Sequence, residues 1–288
     1  MSAQTNQLPF RFRLMTNTMN ALAGILPSAV GRFAFELFCT PRHAPAHQRR
    51  SPHAIAAATA LTVRFGAQDL RAWEWGAGGE KTVMLVRGWE SEPTSLAAFI
   101  LPLVERGYRV IALDGPAHGD SPGNRLNLVD YRAALQAMVA QHGAVHAIIS
   151  HSFGGGAVLF GLGESSGWGS DVQRVVTIGA PARLQDVLER FGRSLGLTGG
   201  VLQAMYEAMR RRFGRSIGDF DLMRLHQKNR IPMLIVHDRS DTIVPFSDAE
   251  DISQALPEAQ TLFTTGLGHR SILRDRDVIQ QVVQFVTE

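Results

Sequence analysis

A serine at the tip of a sharp turn has the surroundings best suited to covalent chemistry. Ser152 follows the apolar run 147–150 and precedes three glycines at 154–156. A serine hydroxyl is a weak nucleophile until it is held out of a sheet, beside a base and near backbone N–H groups. Small residues two positions before and after the serine, Ser150 and Gly154, let a strand and a helix approach closely enough to form such a turn. Ser152 is therefore our candidate for attack on a carbonyl carbon.

Two residues that could activate this serine follow later in the chain, each after another apolar run. Asp241 lies in a loop closed by Pro245, and His269 lies between turn residues. A histidine can take the serine proton, and a carboxylate can orient the histidine and stabilise its charged form. The chain therefore offers a nucleophile, an acid and a base in the order Ser152, Asp241, His269.

Each of these residues also has a structural interpretation. Ser152 could be a turn serine in an inactive protein, and His269 could be a hydrogen-bonded loop histidine. Asp241 could cap the turn that follows it, because aspartate side chains often bind the backbone two residues on. Asp238, in the same loop, is a competing candidate for the acid.

Short apolar runs that alternate with helical patterns must position these groups. We expect strands at 61–65, 70–75, 83–86, 110–113, 147–150, 175–178, 233–236 and 261–264. Helices are expected at 95–105, 128–142, 154–163, 247–256 and 274–286. Continuous apolar runs suit parallel strands covered on both faces, after an antiparallel edge formed by the first two. Reactive groups should gather at the carboxyl ends of such strands.

The order and spacing of these motifs resemble the α/β-hydrolase superfamily over residues 59–288. The order Ser, Asp, His is associated with that superfamily and differs from those of the chymotrypsin and subtilisin types. The segment 87–89, Arg-Gly-Trp, lies where the superfamily commonly has His-Gly and a bulky residue. The segment 114–121 is similar to its D-x-P-G-H-G-x-S loop, with Ala117 in place of the first glycine. The resemblance implies an α/β fold with a mostly parallel central sheet, flanking helices and a small helical cap.

The resemblance also implies a mechanism. Ser152 would be the nucleophile, His269 the base and Asp241 its partner, and the backbone N–H groups of Trp89 and Phe153 would form the oxyanion hole. The activity implied is that of a serine esterase acting on a small-molecule ester or related acyl compound, with no metal and no organic cofactor. A serine at this position differs from the aspartate nucleophile of dehalogenases and epoxide hydrolases of the same fold. The competing class is a catalytically weak ligand-binding or signalling protein.

Three residues near these motifs are ambiguous in the sequence. Arg87 departs from the usual histidine, and it could orient the oxyanion loop, pair with Glu90 or attract an anionic substrate. We expect His118 and His151 to be structural and to bond to backbone near the turn.

The region 1–58 is expected to be a helical extension and linker. Residues 8–38 suggest one or two amphipathic helices packed on the core or on a partner, and 43–53 reads as an exposed linker. No run approaches the ~20 apolar residues that span a bilayer, so we expect no transmembrane segment. The apolar stretch also lacks the form of a signal peptide, which favours a cytoplasmic protein. Peripheral membrane contact is an alternative role for this basic, Phe-rich segment.

The alternation of strands and helices stops at 182–228. Apolar residues recur there at helical spacing in two groups, Leu184, Val187, Leu188 and Phe191, and then Leu202, Met205, Tyr206, Met209 and Phe213. The superfamily commonly carries a helical cap at this point, so we expect a cap inserted in a domain of residues 59–288. The apolar stripe could be ordinary packing, and part of it could also wall a substrate pocket.

Composition excludes several other classes of protein. A content of 45% hydrophobic and 19% charged residues suits a buried sheet and argues against disorder. The single cysteine, Cys39, excludes an internal disulfide framework and a cysteine-based zinc site. A net charge of +3 is too mild to indicate a nucleic-acid partner, and the arginines at 210–212 and 215 suit a solvated helix face. The sequence does not indicate an oligomeric state.

Overall fold

The computed structural model describes residues 9–42, 57–91, 95–163, 171–221 and 231–288. The chain divides into two compact units. The smaller unit consists of Met1–Cys39 and Leu184–Asp221, and the larger one of Thr40–Arg183 and Leu222–Glu288. The predicted linker at 43–53 and the last residues of the predicted cap, 222–228, lie outside the described residues.

An eight-stranded sheet forms the centre of the larger unit. Its strands are β1 (Thr59–Phe65), β2 (Gln68–Trp75), β3 (Lys81–Val86), β4 (Tyr108–Leu113), β5 (Ala147–His151), β6 (Arg174–Ile178), β7 (Met233–Asp238) and β8 (Gln260–Thr264). Their spatial order is β1-β2-β4-β3-β5-β6-β7-β8. Strand β2 runs antiparallel to both β1 and β4, and the remaining neighbours are parallel. The mostly parallel sheet and its antiparallel edge are therefore confirmed.

The helices of the larger unit lie in the connections between strands. Among the described residues they are Ile100–Val104, Leu128–His142, Phe153–Gly163, Phe246–Ala255, Gly268–Ser271 and Arg276–Thr287, with 3-10 turns at Ala97–Phe99 and Ile272–Arg274. The final helix begins at Arg276 because the side chain of Asp275 accepts hydrogen bonds from the N–H groups of the next turn. The predicted helix at 95–105 is only a 3-10 turn followed by a short helix.

The central strands are buried on both faces, as their continuous apolar runs predicted. Val83 and Met84 of β3 and Ile148 and Ile149 of β5 are all fully buried. Helices that cover both faces of a parallel sheet leave its side chains no access to water. The carboxyl ends of these strands are consequently the part of the sheet available for a site.

The described residues of the smaller unit form four helices. They are Phe10–Leu22, Pro27–Phe38, Leu184–Leu195 and Gly199–Phe213, and a 3-10 turn follows at Ile217–Phe220. The backbones of the second and fourth helices are in contact, because a Cβ atom added at Gly31 would lie 2.0 Å from the carbonyl oxygen of Ala204. The rings of Phe35 and Phe213 meet edge to face with centroids 6.0 Å apart.

Polar contacts also join the N-terminal helices to the inserted ones. The Asn20 side chain donates to the carbonyl of Gly196 and accepts from the N–H of Thr198, both at 2.9 Å. The sequence predicted helices in both segments but did not predict that they pack together. Met205 and Met209 are fully buried, as ordinary packing within this unit would require.

A cleft of about 560 Å³ lies within the smaller unit, and its lining includes Pro27, Arg32, Ala204 and Arg211. None of the candidate catalytic residues lines it. The described helices include none with both the length and the apolar character needed to cross a membrane.

Candidate active site

Ser152 occupies a strained turn between β5 and the helix Phe153–Gly163. Its φ of 54° lies in the left-handed region, which residues other than glycine rarely adopt. Its N–H donates to the carbonyl of Ile178 at 2.9 Å, and its carbonyl accepts from the N–H of Gly155 at 2.8 Å. Backbone bonds on both sides therefore hold the turn in the conformation that presents the hydroxyl at the end of the strand.

Two glycines allow the neighbouring backbone to approach this turn. A Cβ atom at Gly154 would lie 2.4 Å from the carbonyl oxygen of Arg87, and one at Gly88 would lie 2.8 Å from the Cβ atom of Ser152. Real Cβ atoms do not make contacts this short, so a side chain at either position would push the turn and the loop after β3 apart. These contacts explain why small residues surround the serine.

Ser150 replaces the first glycine that this kind of turn usually contains. The residue is fully buried, and its hydroxyl donates to the carbonyl of Val176 on the neighbouring strand at 2.8 Å. A buried hydroxyl is tolerated when it is hydrogen-bonded. The substitution therefore leaves the turn intact.

The structure brings together the three residues that the sequence proposed as a group. His269 Nε2 lies 2.9 Å from Ser152 Oγ, and His269 Nδ1 lies 2.6 Å from Asp241 Oδ2. Because a carboxylate only accepts, Nδ1 carries the proton and the Nε2 lone pair faces the serine hydroxyl. The histidine and aspartate side chains are 8% and 1% exposed. The arrangement can transfer a proton from serine to histidine at a partly buried site.

Asp241 is held as a carboxylate by its surroundings. Its Oδ1 accepts from the N–H groups of Ile243 and Val244 at 2.8 and 2.9 Å. Burial by itself would raise the pKa of Asp241, but the hydrogen bond from His269 and those two amides outweigh it and lower the pKa. His237 Nε2 lies 3.5 Å from Asp241 Oδ2 and 2.9 Å from the carbonyl of Val244. The negative charge therefore stays next to His269.

Asp238, the competing candidate for the acid, has different partners. Its carboxylate accepts from Thr264 Oγ1 at 2.7 Å, from the N–H of Leu267 at 3.0 Å and from the N–H of Ser240 at 2.8 Å. Burial would raise the pKa of Asp238, but these hydrogen bonds lower it to about 2. Asp238 therefore ties the end of β7 to the loop that leads from β8 to His269, and Asp241 is the residue that meets the imidazole.

His151 contacts the backbone of the candidate base. Its Nε2 lies 3.0 Å from the carbonyl oxygen of His269, and the two ring centroids are 4.6 Å apart. Burial, reinforced by the nearby His269, lowers the pKa of His151 to about 3, so its ring is neutral and Nε2–H donates. The sequence predicted a backbone bond for this histidine, but it did not predict that the acceptor would be His269.

His118 supports the loop that follows β3. Its Nδ1 lies 3.0 Å from the carbonyl oxygen of Pro116, and its Nε2 accepts from the N–H of Glu90 at 3.1 Å. Glu90 has a φ of 51°, so this bond helps to hold a strained residue beside Trp89. The structural role expected for His118 agrees with these two backbone bonds.

The two proposed oxyanion donors lie in adjoining turns. Trp89 follows Gly88, which contacts Ser152, and Phe153 follows Ser152 itself. Phe153 begins a helix, so its N–H has no acceptor within that helix and lies at the positive end of the helix dipole. The indole of Trp89 and the ring of Phe153 meet edge to face with centroids 5.4 Å apart. Backbone donors at these positions could stabilise a negative oxygen formed near the serine.

Arg87 forms a buried ion pair with Asp114. Its Nη2 lies 2.8 Å from Asp114 Oδ1, and its Nη1 donates to the carbonyl of Ser91 at 3.1 Å. Glu90, the partner suggested by sequence proximity, instead binds Arg42. The interpretation of Arg87 as a residue that orients this loop agrees with these contacts. Arg87 and Asp114 each directly follow an apolar run in the sequence. The ion pair could be predicted from this pattern only if the two strands were known to be neighbours.

The family of the chain follows from comparison with known proteins. A model of the alpha/beta hydrolase family matches residues 76–281. This match covers well over half of the chain, and the sheet has the strand arrangement described above. The chain belongs to the alpha/beta hydrolase family.

Individual proteins match this chain either over a short segment or at low sequence identity. The chain is 39% identical over 90 residues to a non-heme haloperoxidase of Rhodococcus erythropolis, and the aligned part makes up only 30% of this chain and 31% of that protein. An esterase of Pyrococcus furiosus, Pf2001, has a TM-score of 0.64 at 18% identity over 86% of this chain and 97% of its own. A bromoperoxidase from Bacillus anthracis has a TM-score of 0.60 at 19% identity over 80% and 100%. At such identities these structures establish a common fold.

Proposed function

We propose that this protein is a serine hydrolase that cleaves a carboxylic ester, or a related acyl bond, in a small molecule. The observation that supports this most strongly is the hydrogen-bonded series Ser152, His269 and Asp241, with contacts of 2.9 and 2.6 Å. A nucleophile, a base and an orienting carboxylate in this relationship are the requirements for acyl transfer through serine.

The acylation step uses these groups in sequence. His269 Nε2 takes the proton as Ser152 Oγ bonds to the carbonyl carbon, and the carbonyl π electrons move to its oxygen. The N–H groups of Trp89 and Phe153 donate to that oxygen, and each such donor typically contributes ~3 kcal/mol to the transition state. The carboxylate of Asp241 stabilises the imidazolium that forms.

The intermediate then collapses and the enzyme is regenerated. The imidazolium of His269 gives its proton to the departing alkoxide, the ester C–O bond breaks, and the acyl group remains on Ser152. Water then attacks the acyl carbon while His269 takes one of its protons. When the second intermediate collapses, the carboxylic acid leaves and Ser152 recovers its proton from His269.

Covalent labelling of the folded protein tests this proposal. A fluorophosphonate reacts with a serine that is activated by a base and faces oxyanion donors, and it leaves ordinary serines unmodified at neutral pH. We expect one adduct on Ser152, which is absent in Ser152→Ala and strongly reduced in His269→Ala. The exposed Ser194 provides a control, because Ser194→Ala should label like the wild type.

Two outcomes would contradict the proposal. Labelling at a serine other than Ser152 would mean that the turn has been misassigned. A folded wild-type protein that neither labels nor hydrolyses a panel of short aryl esters would support the competing ligand-binding role. Circular dichroism of each variant separates loss of chemistry from loss of fold.

A further inference from the structure

The exposed large apolar side chains of the described chain are concentrated near its beginning. The N-terminal helices and the turn between them expose Phe10, Phe12, Leu14, Ile25, Leu26 and Phe33, whereas the rest of the described residues expose only Leu101 and Ile243 to a comparable extent. Single exposed apolar residues are ordinary on protein surfaces, but a concentration of them marks an interaction site.

Part of this set forms a row along the first helix and the turn that follows it. The side that packs within the smaller unit carries the buried residues Thr16 and Met19. At 100° per residue, Phe10, Leu14 and Ile25 all lie on the opposite side. The helical winding reaches Ile25 because its N–H and that of Leu26 both donate to the carbonyl of Leu22. Phe10 and Ile25 are 77% and 74% exposed, so the row is open to solvent.

Positive charge flanks the row. Arg11 and Arg13 are exposed and lie to either side of Phe10 and Leu14 on the helix. Arg32 adds a third exposed cation on the next helix, and there is no aspartate or glutamate before Glu36. An outward apolar row between cations is the pattern of a helix that lies in the interface of a membrane with anionic lipids.

The same charges disfavour a second copy of the chain as the occupant. A two-fold contact over this row would bring the Arg11 and Arg13 side chains of both copies into one interface, because the same surface serves on both sides. The segment has no acidic side chain before Glu36 that could pair with them. Lipid phosphates supply the missing negative charge, and arginine pairs well with phosphate.

We propose that the row Phe10, Leu14 and Ile25, with Arg11 and Arg13, binds the surface of an anionic lipid membrane. The first helix lies parallel to the surface, its apolar row enters the boundary between headgroups and acyl chains, and the arginines bind lipid phosphates. None of these residues belongs to the candidate catalytic group, and the proposal does not depend on the function proposed for that group.

Vesicle flotation with the full chain tests the proposal. We expect the protein to float with vesicles that contain phosphatidylglycerol and phosphatidylcholine, to bind phosphatidylcholine alone much more weakly, and to be released by high salt. The triple variant Phe10→Ser/Leu14→Ser/Ile25→Ser should lower the partition coefficient by at least about tenfold, because it removes most of the inserted apolar area. Arg11→Gln/Arg13→Gln should remove most of the preference for the anionic vesicles.

Leu101→Ser is the matched control, since Leu101 is a 63% exposed apolar residue of the larger unit. It should bind like the wild type, and circular dichroism should show that all variants are folded. The proposal is wrong if the wild type binds no vesicles, or if the triple variant binds as well as the Leu101→Ser control. It is also wrong if sedimentation finds a dimer that the triple variant loses while vesicle binding is absent.

Discussion

Arg87 and Asp114 form an ion pair at the carboxyl ends of two neighbouring parallel strands, with side chains only 5% and 2% exposed. Asp114 also accepts from the indole N–H of Trp73 at 3.3 Å and from the N–H of Asp120 at 3.0 Å. One carboxylate therefore links the loop after β4 to the loop after β3, which carries Trp89. The buried pair therefore helps to hold the loop that carries Trp89, the proposed oxyanion donor.

Removing the cation should cost far more stability than removing an exposed one. Arg87→Ala leaves the Asp114 carboxylate buried without its partner, and such changes destabilise by about 3–5 kcal/mol. Arg64→Ala breaks the exposed pair with Asp69 and should cost about 0–1 kcal/mol. Urea unfolding of both variants measures the difference. Equal losses of free energy would show that the buried pair contributes no more than a surface contact.

Replacing Asp241 should mainly lower kcat, whereas replacing Asp238 should mainly lower the free energy of unfolding. In Asp241→Asn the amide oxygen can still accept from Ile243, but the NH₂ group faces His269 Nδ1 and selects the wrong tautomer. We expect kcat to fall by roughly 10³–10⁴-fold with the free energy of unfolding nearly unchanged. Asp238→Asn should lower the free energy of unfolding by about 2 kcal/mol and reduce kcat much less.

Ester hydrolysis and urea unfolding of both variants test this assignment. A larger fall in kcat from Asp238→Asn than from Asp241→Asn would reverse the roles of the two carboxylates.

Asp238 also predicts how stability depends on pH. Its pKa in the folded protein is lowered from its ordinary value of 3.8 to about 2, so the folded state holds the carboxylate charged. This contribution is nearly complete above about pH 5 and is lost as the pH falls through 3.8 towards the folded pKa of about 2, because the unfolded chain then binds the proton first. The stability difference between wild type and Asp238→Asn should therefore shrink between pH 5 and pH 2. Urea unfolding of both proteins at several pH values measures this difference. A difference that stays constant from pH 5 to pH 2 would contradict the cause given for the lowered pKa of Asp238.

His151 is expected to act as a positioning residue through the backbone of His269. Replacing it by alanine removes the donor to the His269 carbonyl, and a small displacement of the base should lower kcat by roughly 10- to 100-fold with little change in KM. His151→Gln retains an N–H donor and should restore part of the activity.

His142→Ala is the control for His151, because His142 also contacts a backbone carbonyl, that of Thr62, at an exposed position. Unchanged kcat in a folded His151→Ala variant would show that the imidazole of His269 keeps its place without this bond.

Much of the larger unit was predictable because its signals are local. The continuous apolar run at Val83–Val86 indicates a strand that is buried on both faces, and so does the run before Ser152. Asp241 and His269 could be proposed because each follows such a run, and parallel strands place their carboxyl ends on one edge. The distances of 2.9 Å from His269 Nε2 to Ser152 Oγ and 2.6 Å from His269 Nδ1 to Asp241 Oδ2 could not be predicted, because they depend on the conformations of the loops.

Contacts between distant segments were not predictable in the same way. Periodicity at 184–213 predicts helices, but it does not indicate that their partners are residues 10–38. The same limit applies to Arg87, whose nearest acid in sequence is Glu90 and whose partner in space is Asp114. The assignment of 182–228 as a cap that shapes the substrate pocket stays a prediction.

The contact between Gly31 and Ala204 has a consequence for biosynthesis. The second helix ends at Phe38, and its packing partner begins at Gly199, so about 160 residues must be translated before the two can meet. At a translation rate of about 5–20 residues per second, the apolar surfaces of the first two helices stay uncovered for on the order of ten to thirty seconds. During that interval Val30, Ala34 and Phe35, which are buried in the finished protein, lack the inserted helix that covers them.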